Sequence, residues 1–119
     1  MPPPAPTAVL SRRVAGPAMF STTWSYIDHV LVPPGASTPE RPQVGLVEAY
    51  YVLGGEGTIS VAGVESGTAA VRAGDAIPIR IGETTRFTST GSGPLELFVM
   101  GVARDMAAKT QLLTGANQR

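Results

Sequence analysis

The chain has 119 residues, 43% of them hydrophobic, with nine Lys plus Arg against nine Asp plus Glu. That length suits one domain built on one core and argues against a second. Balanced, scattered charge excludes the basic footprint of a nucleic-acid binder, and the lack of cysteine excludes disulfides, thiolate metal sites and a cysteine nucleophile.

The chain opens with Pro2, Pro3, Pro4 and Pro6, which lack backbone donors, so residues 1–7 are expected to form a flexible tail. This start lacks the basic and apolar regions of a secretory signal, and no apolar run approaches the roughly 20 residues that span a bilayer. A cytoplasmic protein with no membrane partner is therefore expected.

From residue 8 onward, short runs of β-branched, aliphatic and aromatic residues alternate with Gly and Pro clusters, the pattern of an all-β barrel or sandwich. Strands are expected over 8–15, 22–32, 48–54, 57–61, 67–71, 75–79, 85–88 and 95–103. The punctuation between them, Pro33-Pro34-Gly35, Gly54-Gly55-Glu56-Gly57, Ala73-Gly74-Asp75 and Gly91-Ser92-Gly93-Pro94, supplies the backbone angles that tight antiparallel connections need. No strong helical pattern precedes Arg104. Residues 105–114 read as a helix, with Asp105 as N-cap and Gly115 as its stop.

Two stretches resemble the motifs of the cupin superfamily. Residues 34–55 are similar to the first motif, a glycine, five residues, His-x-His, three or four residues, a glutamate, six residues and a glycine, with Gly35, Glu48 and Gly55 on that spacing. Residues 74–90 are similar to the second, with Gly74, Asp75 and Gly82 in place, and residues 57–64 resemble the hairpin between them. The resemblance implies an antiparallel β-barrel of the cupin type, a double-stranded β-helix or jelly roll, over residues 8–104, followed by a short helix and tail over 105–119.

The departures concern chemistry. At the histidine positions of the first motif stand Arg41 and Gln43, and at that of the second stands Thr85. A guanidinium has no lone pair to give, and an amide and a hydroxyl are weak neutral ligands. Glu48 alone remains of the ligand set, so no metal and no cofactor are expected. A displaced metal on Glu48, Gln43 and His29 would require His29 to point inward.

Strand alternation puts Glu48, Tyr50 and Val52 on one face, and Thr85, Phe87 and Ser89 on one face of another strand. The resemblance implies that these faces line the barrel mouth, where a few polar groups against aliphatic walls suit a small ligand. Glu48 is the candidate general acid or base, since desolvation favours its neutral form unless a cation opposes it, and Arg41 is the candidate cation. Tyr50 is a second proton-handling candidate; equally, it is a packing residue. Gln43, Thr85 and Phe87 are candidate ligand contacts.

Trp24 and Tyr26 are expected on a common face, as ligand-stacking walls or as contacts in a homodimer. His29 titrates near neutrality and lines either the pocket or a subunit contact. Asp28 beside it points to the opposite face, which argues against a direct dyad.

Two functions follow. The first is a metal-independent enzyme of specialised metabolism, an isomerase, cyclase or lyase that isomerises, cyclises, dehydrates or epimerises a small anionic or carbonyl-bearing substrate, with Glu48 moving the proton. The second is a non-catalytic ligand-binding or scaffolding barrel, in which Arg41 and Glu48 form an inert internal ion pair.

Overall fold

The structure, a computed structural model, describes residues 8–42, 46–63, 67–80, 82–103 and 105–110. The expected tail 1–7, Gln43, and residues 111–119 of the expected C-terminal segment lie outside the described residues.

Nine strands are described: β1 (Leu10–Ala15), β2 (Trp24–Val32), β3 (Arg41–Pro42), β4 (Leu46–Gly54), β5 (Glu56–Ala62), β6 (Gly67–Arg72), β7 (Ala76–Ile79), β8 (Thr84–Ser89) and β9 (Leu95–Ala103). They form two antiparallel sheets, in the orders β1-β2-β9-β4-β7 and β3-β8-β5-β6. The core lies between them. Strand β9 shows why: Leu95, Leu97 and Val99 are buried while Glu96, Phe98 and Met100 are only partly covered, the period-2 signature of a strand with one inward face. Opposite, Ile59 of β5 and Phe87 of β8 close the apolar layer.

This is the jelly roll that the motif spacing implied, though its two sheets are not closed into one hydrogen-bonded barrel among the described residues. The edges explain it. Strand β3 has two residues, and β7 has four with Pro78 among them, and proline offers no donor to extend a ladder.

The chain crosses from the first sheet to the second at Gly55, whose φ of 85° is disfavoured for any residue with a Cβ. A Cβ there would also lie 2.9 Å from Leu95 Cα and closer still to the Pro94 carbonyl oxygen.

Two elements have no clear sequence signal. Strand β3 is too short to show alternation, and a single 3₁₀ turn spans Pro17–Met19. Residues 106–110 are helical, and Asp105 Oδ1 accepts a 2.8 Å hydrogen bond from the Ala108 N–H, the N-cap geometry expected of it. Lys109 fastens this helix to the sheets: its buried ammonium donates to the Phe20 carbonyl at 2.6 Å and to that of Thr22. Among the described residues no helix is long and apolar enough to cross a membrane.

Candidate functional site

Register across β2, β9 and β4 arranges the inner face of the five-stranded sheet in rows. Tyr26, Gly101 and Glu48 form one row, Asp28, Val99 and Tyr50 the next, and Val30, Leu97 and Val52 the third. The face thus runs from polar at one end to wholly apolar at the other.

In the polar row Tyr26 lies across Gly101 and donates its hydroxyl to Glu48 Oε2. The bare glycine permits this, because a Cβ at residue 101 would fall 2.7 Å from Tyr26 Cε1 and nearer still to two other ring atoms. From its own strand Tyr50 donates to Glu48 Oε1 at 2.6 Å. Arg41, on β3 of the facing sheet, brings Nη2 within 2.9 Å of Glu48 Oε2 and donates to the Tyr26 hydroxyl oxygen at 3.0 Å. The Glu48 side chain is 0% exposed and that of Arg41 47% exposed. Two phenols and a guanidinium therefore seal a buried carboxylate, as satisfaction of a buried charge requires.

Charge and burial hold these donors protonated. Burial first, then the charge and hydrogen bond of Glu48, raise the Tyr26 phenol well above its ordinary value, against the pull of Arg41. Tyr50 is raised for the same reasons, opposed by Arg41 and by a hydrogen bond from Thr85. Burial pulls the Arg41 guanidinium down, but Glu48 and the two tyrosines more than offset it. Donation therefore runs one way, from Thr85 through Tyr50 and from Arg41 through Tyr26, and ends on Glu48.

Beside this cluster opens a cavity of about 450 Å³, within the range of small-molecule sites. Its apolar wall is Val30, Leu97, Val99 and Phe87, and its polar end is Arg41, Tyr50, Thr85 and Glu40. Val9 and Ser11, beside and on β1, and Thr38 and Pro39, before β3, complete it. Glu48 is not among the lining residues; Tyr50 and Arg41 stand between it and the space.

Glu48, Tyr50, Arg41, Thr85, Phe87 and Tyr26 thus converge, while Gln43 lies outside the described residues. Two candidates do not converge. His29 points to the opposite face of the sheet, where Nε2 meets Glu96 Oε2 at 2.6 Å and the ring packs edge-on against Phe98. Inner-face position falls to its neighbour Asp28, which pairs with Arg13 Nε at 2.6 Å, so His29 neither lines the cavity nor reaches a metal held by Glu48. Trp24 does not share a face with Tyr26: the register shifts between them, Tyr26 is buried, and Trp24 is 41% exposed. A bulge of this kind cancels the period-2 rule.

Sequence reasoning missed Arg13, whose guanidinium sits 4.6 Å from the Tyr26 ring centroid, and Gly101. The signal for Gly101 was present, since an isolated glycine inside an apolar strand marks close approach of another group.

The metal implied by the motif needs lone pairs converging on one point. Here the guanidinium of Arg41 faces Glu48 at 2.9 Å, Thr85 supplies only a hydroxyl, and among the described residues no three His, Cys, Asp or Glu side chains come together. These residues do not fit a divalent cation.

Comparison with known proteins places the architecture. Residues 28–101 match the family model of the cupin domain. Among solved structures, the chain is similar to a protein described as a predicted oxalate decarboxylase from Thermotoga maritima, with 23% identity, 80% of each chain covered and a TM-score of 0.73. It is also similar to the Cnp3 cupin domain of Schizosaccharomyces pombe, with 14% identity, 87% of this chain and 70% of that one covered and a TM-score of 0.72. The CENP-C cupin domain of Drosophila melanogaster follows, with 15% identity, 63% and 55% covered and a TM-score of 0.59. At these identities the likeness concerns the fold alone. No curated protein matches the chain by sequence.

Proposed function

The chain belongs to the cupin family, and on that premise we propose that it is a small-molecule-binding protein that holds its ligand between the two sheets, with Arg41 on a ligand oxygen. One observation carries this reading: Arg41 touches both the buried Glu48 and the cavity. Among the described residues both polar contacts of its guanidinium pass through Nη2, and on this reading Nε and Nη1 serve the ligand. Glu48 fixes the guanidinium, Tyr26 supports it, and the wall of Val30, Leu97, Val99 and Phe87 covers the body of the ligand.

Proton transfer by Glu48 itself fits this geometry less well, because its side chain has no exposed surface and its donors stay protonated. A second reading keeps the acid-base enzyme, an isomerase, cyclase or lyase. Tyr50 lines the cavity and bonds Glu48 at 2.6 Å, so a proton would pass through that phenol.

Deuterium exchange separates the two readings. A panel of small carbonyl compounds is incubated with the protein in D₂O and followed by proton NMR. Binding shifts ligand resonances without exchange. Catalysed exchange beside the carbonyl that disappears in Tyr50→Phe would instead establish the enzyme.

A further inference from the structure

Resting on that reading of the cavity, we propose that the site selects a neutral, carbonyl-bearing apolar ligand over an anionic one. The charges at the polar end support this. The polar end holds Arg41 and the exposed Glu40 on the lining, with the carboxylate of Glu48 2.9 Å from Arg41 Nη2. One cation thus faces two anions before any ligand enters.

Among the described residues no further cation lines the space. Arg13 is paired with Asp28 at 2.6 Å. Arg86 bonds the Thr38 carbonyl at 3.1 Å but alternates with the inward Thr85 and Phe87, so it projects from the outer face of β8.

A carboxylate ligand would have to share Arg41 with Glu48 beside Glu40 and leave a net excess of negative charge in a largely apolar cavity. Uncompensated charge is costly against that apolar wall, and Glu48, the carboxylate it would compete with for Arg41, is fully buried. A ketone, ester or amide oxygen accepts from Nε or Nη1 and adds no charge. It takes a charge-assisted hydrogen bond, stronger than a neutral one, while desolvating less than an anion.

Orientation follows from the rows of the sheet. The charged and phenolic groups end at Tyr50, and on the five-stranded sheet Val30 and Leu97 continue as an apolar wall facing Phe87, with only the hydroxyls of Ser11 and Thr38 at its margin. The oxygen therefore lies at Arg41 and the hydrocarbon body runs along β9 towards Leu97.

The test uses three matched probes, 4-phenylbutan-2-one, 3-phenylpropanoate and butylbenzene, titrated near neutral pH against the intact protein with ligand-observed NMR. The ketone should bind more tightly than the carboxylate by about tenfold or more, equivalent to about 1.4 kcal/mol, and more tightly than the hydrocarbon. Arg41→Leu should bring the ketone down to the hydrocarbon's affinity. Glu40→Gln, at an exposed position where folding is not at stake, should narrow the gap between ketone and carboxylate severalfold. A carboxylate that binds as tightly as the ketone, or an unchanged gap in Glu40→Gln, overturns the charge argument and leaves the cavity reading standing. If none of the three probes binds, both fail.

Discussion

Gly101→Ala tests how the polar cluster is built. The new methyl would sit 2.7 Å from Tyr26 Cε1 and nearer to two more ring atoms, and the ring, 3% exposed, is enclosed by the sheet and two guanidinium groups. Overpacking of this kind costs about 1–3 kcal/mol. A ring forced off the strand also loses its hydrogen bond to the Glu48 carboxylate, worth about 1.5–3 kcal/mol for a charged acceptor. Together the loss is about 3–5 kcal/mol, allowing for partial relaxation. The assay is urea unfolding of wild type, Gly101→Ala, Tyr26→Ala and the double variant. Once the ring is gone the added methyl should cost less than about 1 kcal/mol, giving a coupling of about 2 kcal/mol or more between positions 26 and 101. Additive costs would show that the ring does not lie over Gly101 and would refute the argument.

Alkaline pH should unfold the protein through its buried phenols. Tyr26 and Tyr50 are raised above the ordinary value of 10.0 when folded, so the stability they confer is whole below that value and falls as pH rises above it, because the unfolded phenols ionise first. The loss should be about 1.4 kcal/mol per pH unit for each phenol, and Tyr50→Phe should show a shallower decline in urea midpoints above pH 10 than wild type. Equal slopes would contradict the assignment. Lys109→Met should destabilise the fold by about 1–3 kcal/mol, since two backbone carbonyls lose their buried donor. Binding of 4-phenylbutan-2-one should be unchanged in that variant, because Lys109 is absent from the cavity lining.

Much of this was legible in the sequence where the strands are regular. Glu48, Tyr50 and Val52, like Thr85, Phe87 and Ser89, face inward because their strands are regular and a period of two holds. The motif glycines Gly35, Gly55, Gly74 and Gly82 occupy positive φ, so their spacing reported turns that few other residues tolerate. The side of Arg41 was not legible. It stands on a two-residue strand with no alternation to read, and its direction is fixed by a carboxylate on the other sheet. Trp24 failed where the β2–β9 register shifts, an irregularity that no local pattern announces. For His29 the pocket alternative falls because alternation on β2 turns Asp28 inward and His29 outward to Glu96, and which of the two adjacent residues faces the core is set by the assembled sheet. The cavity walls contributed by Val9, Ser11 and Thr38 come from segments around the strands, whose placement depends on the assembled fold.

The central claim, that ligand oxygen meets Arg41 inside the sheets, is tested most directly by NMR titration of ¹⁵N,¹³C-labelled protein with 4-phenylbutan-2-one, following Arg side-chain Nε–H and methyl resonances. The account predicts saturable shifts at Arg41 Nε, Val30, Leu97 and Val99, with those of Ile27 and Leu31 on the outer face unmoved. Shifts confined to that outer face, or a silent Arg41 while the cavity methyls move, would contradict it.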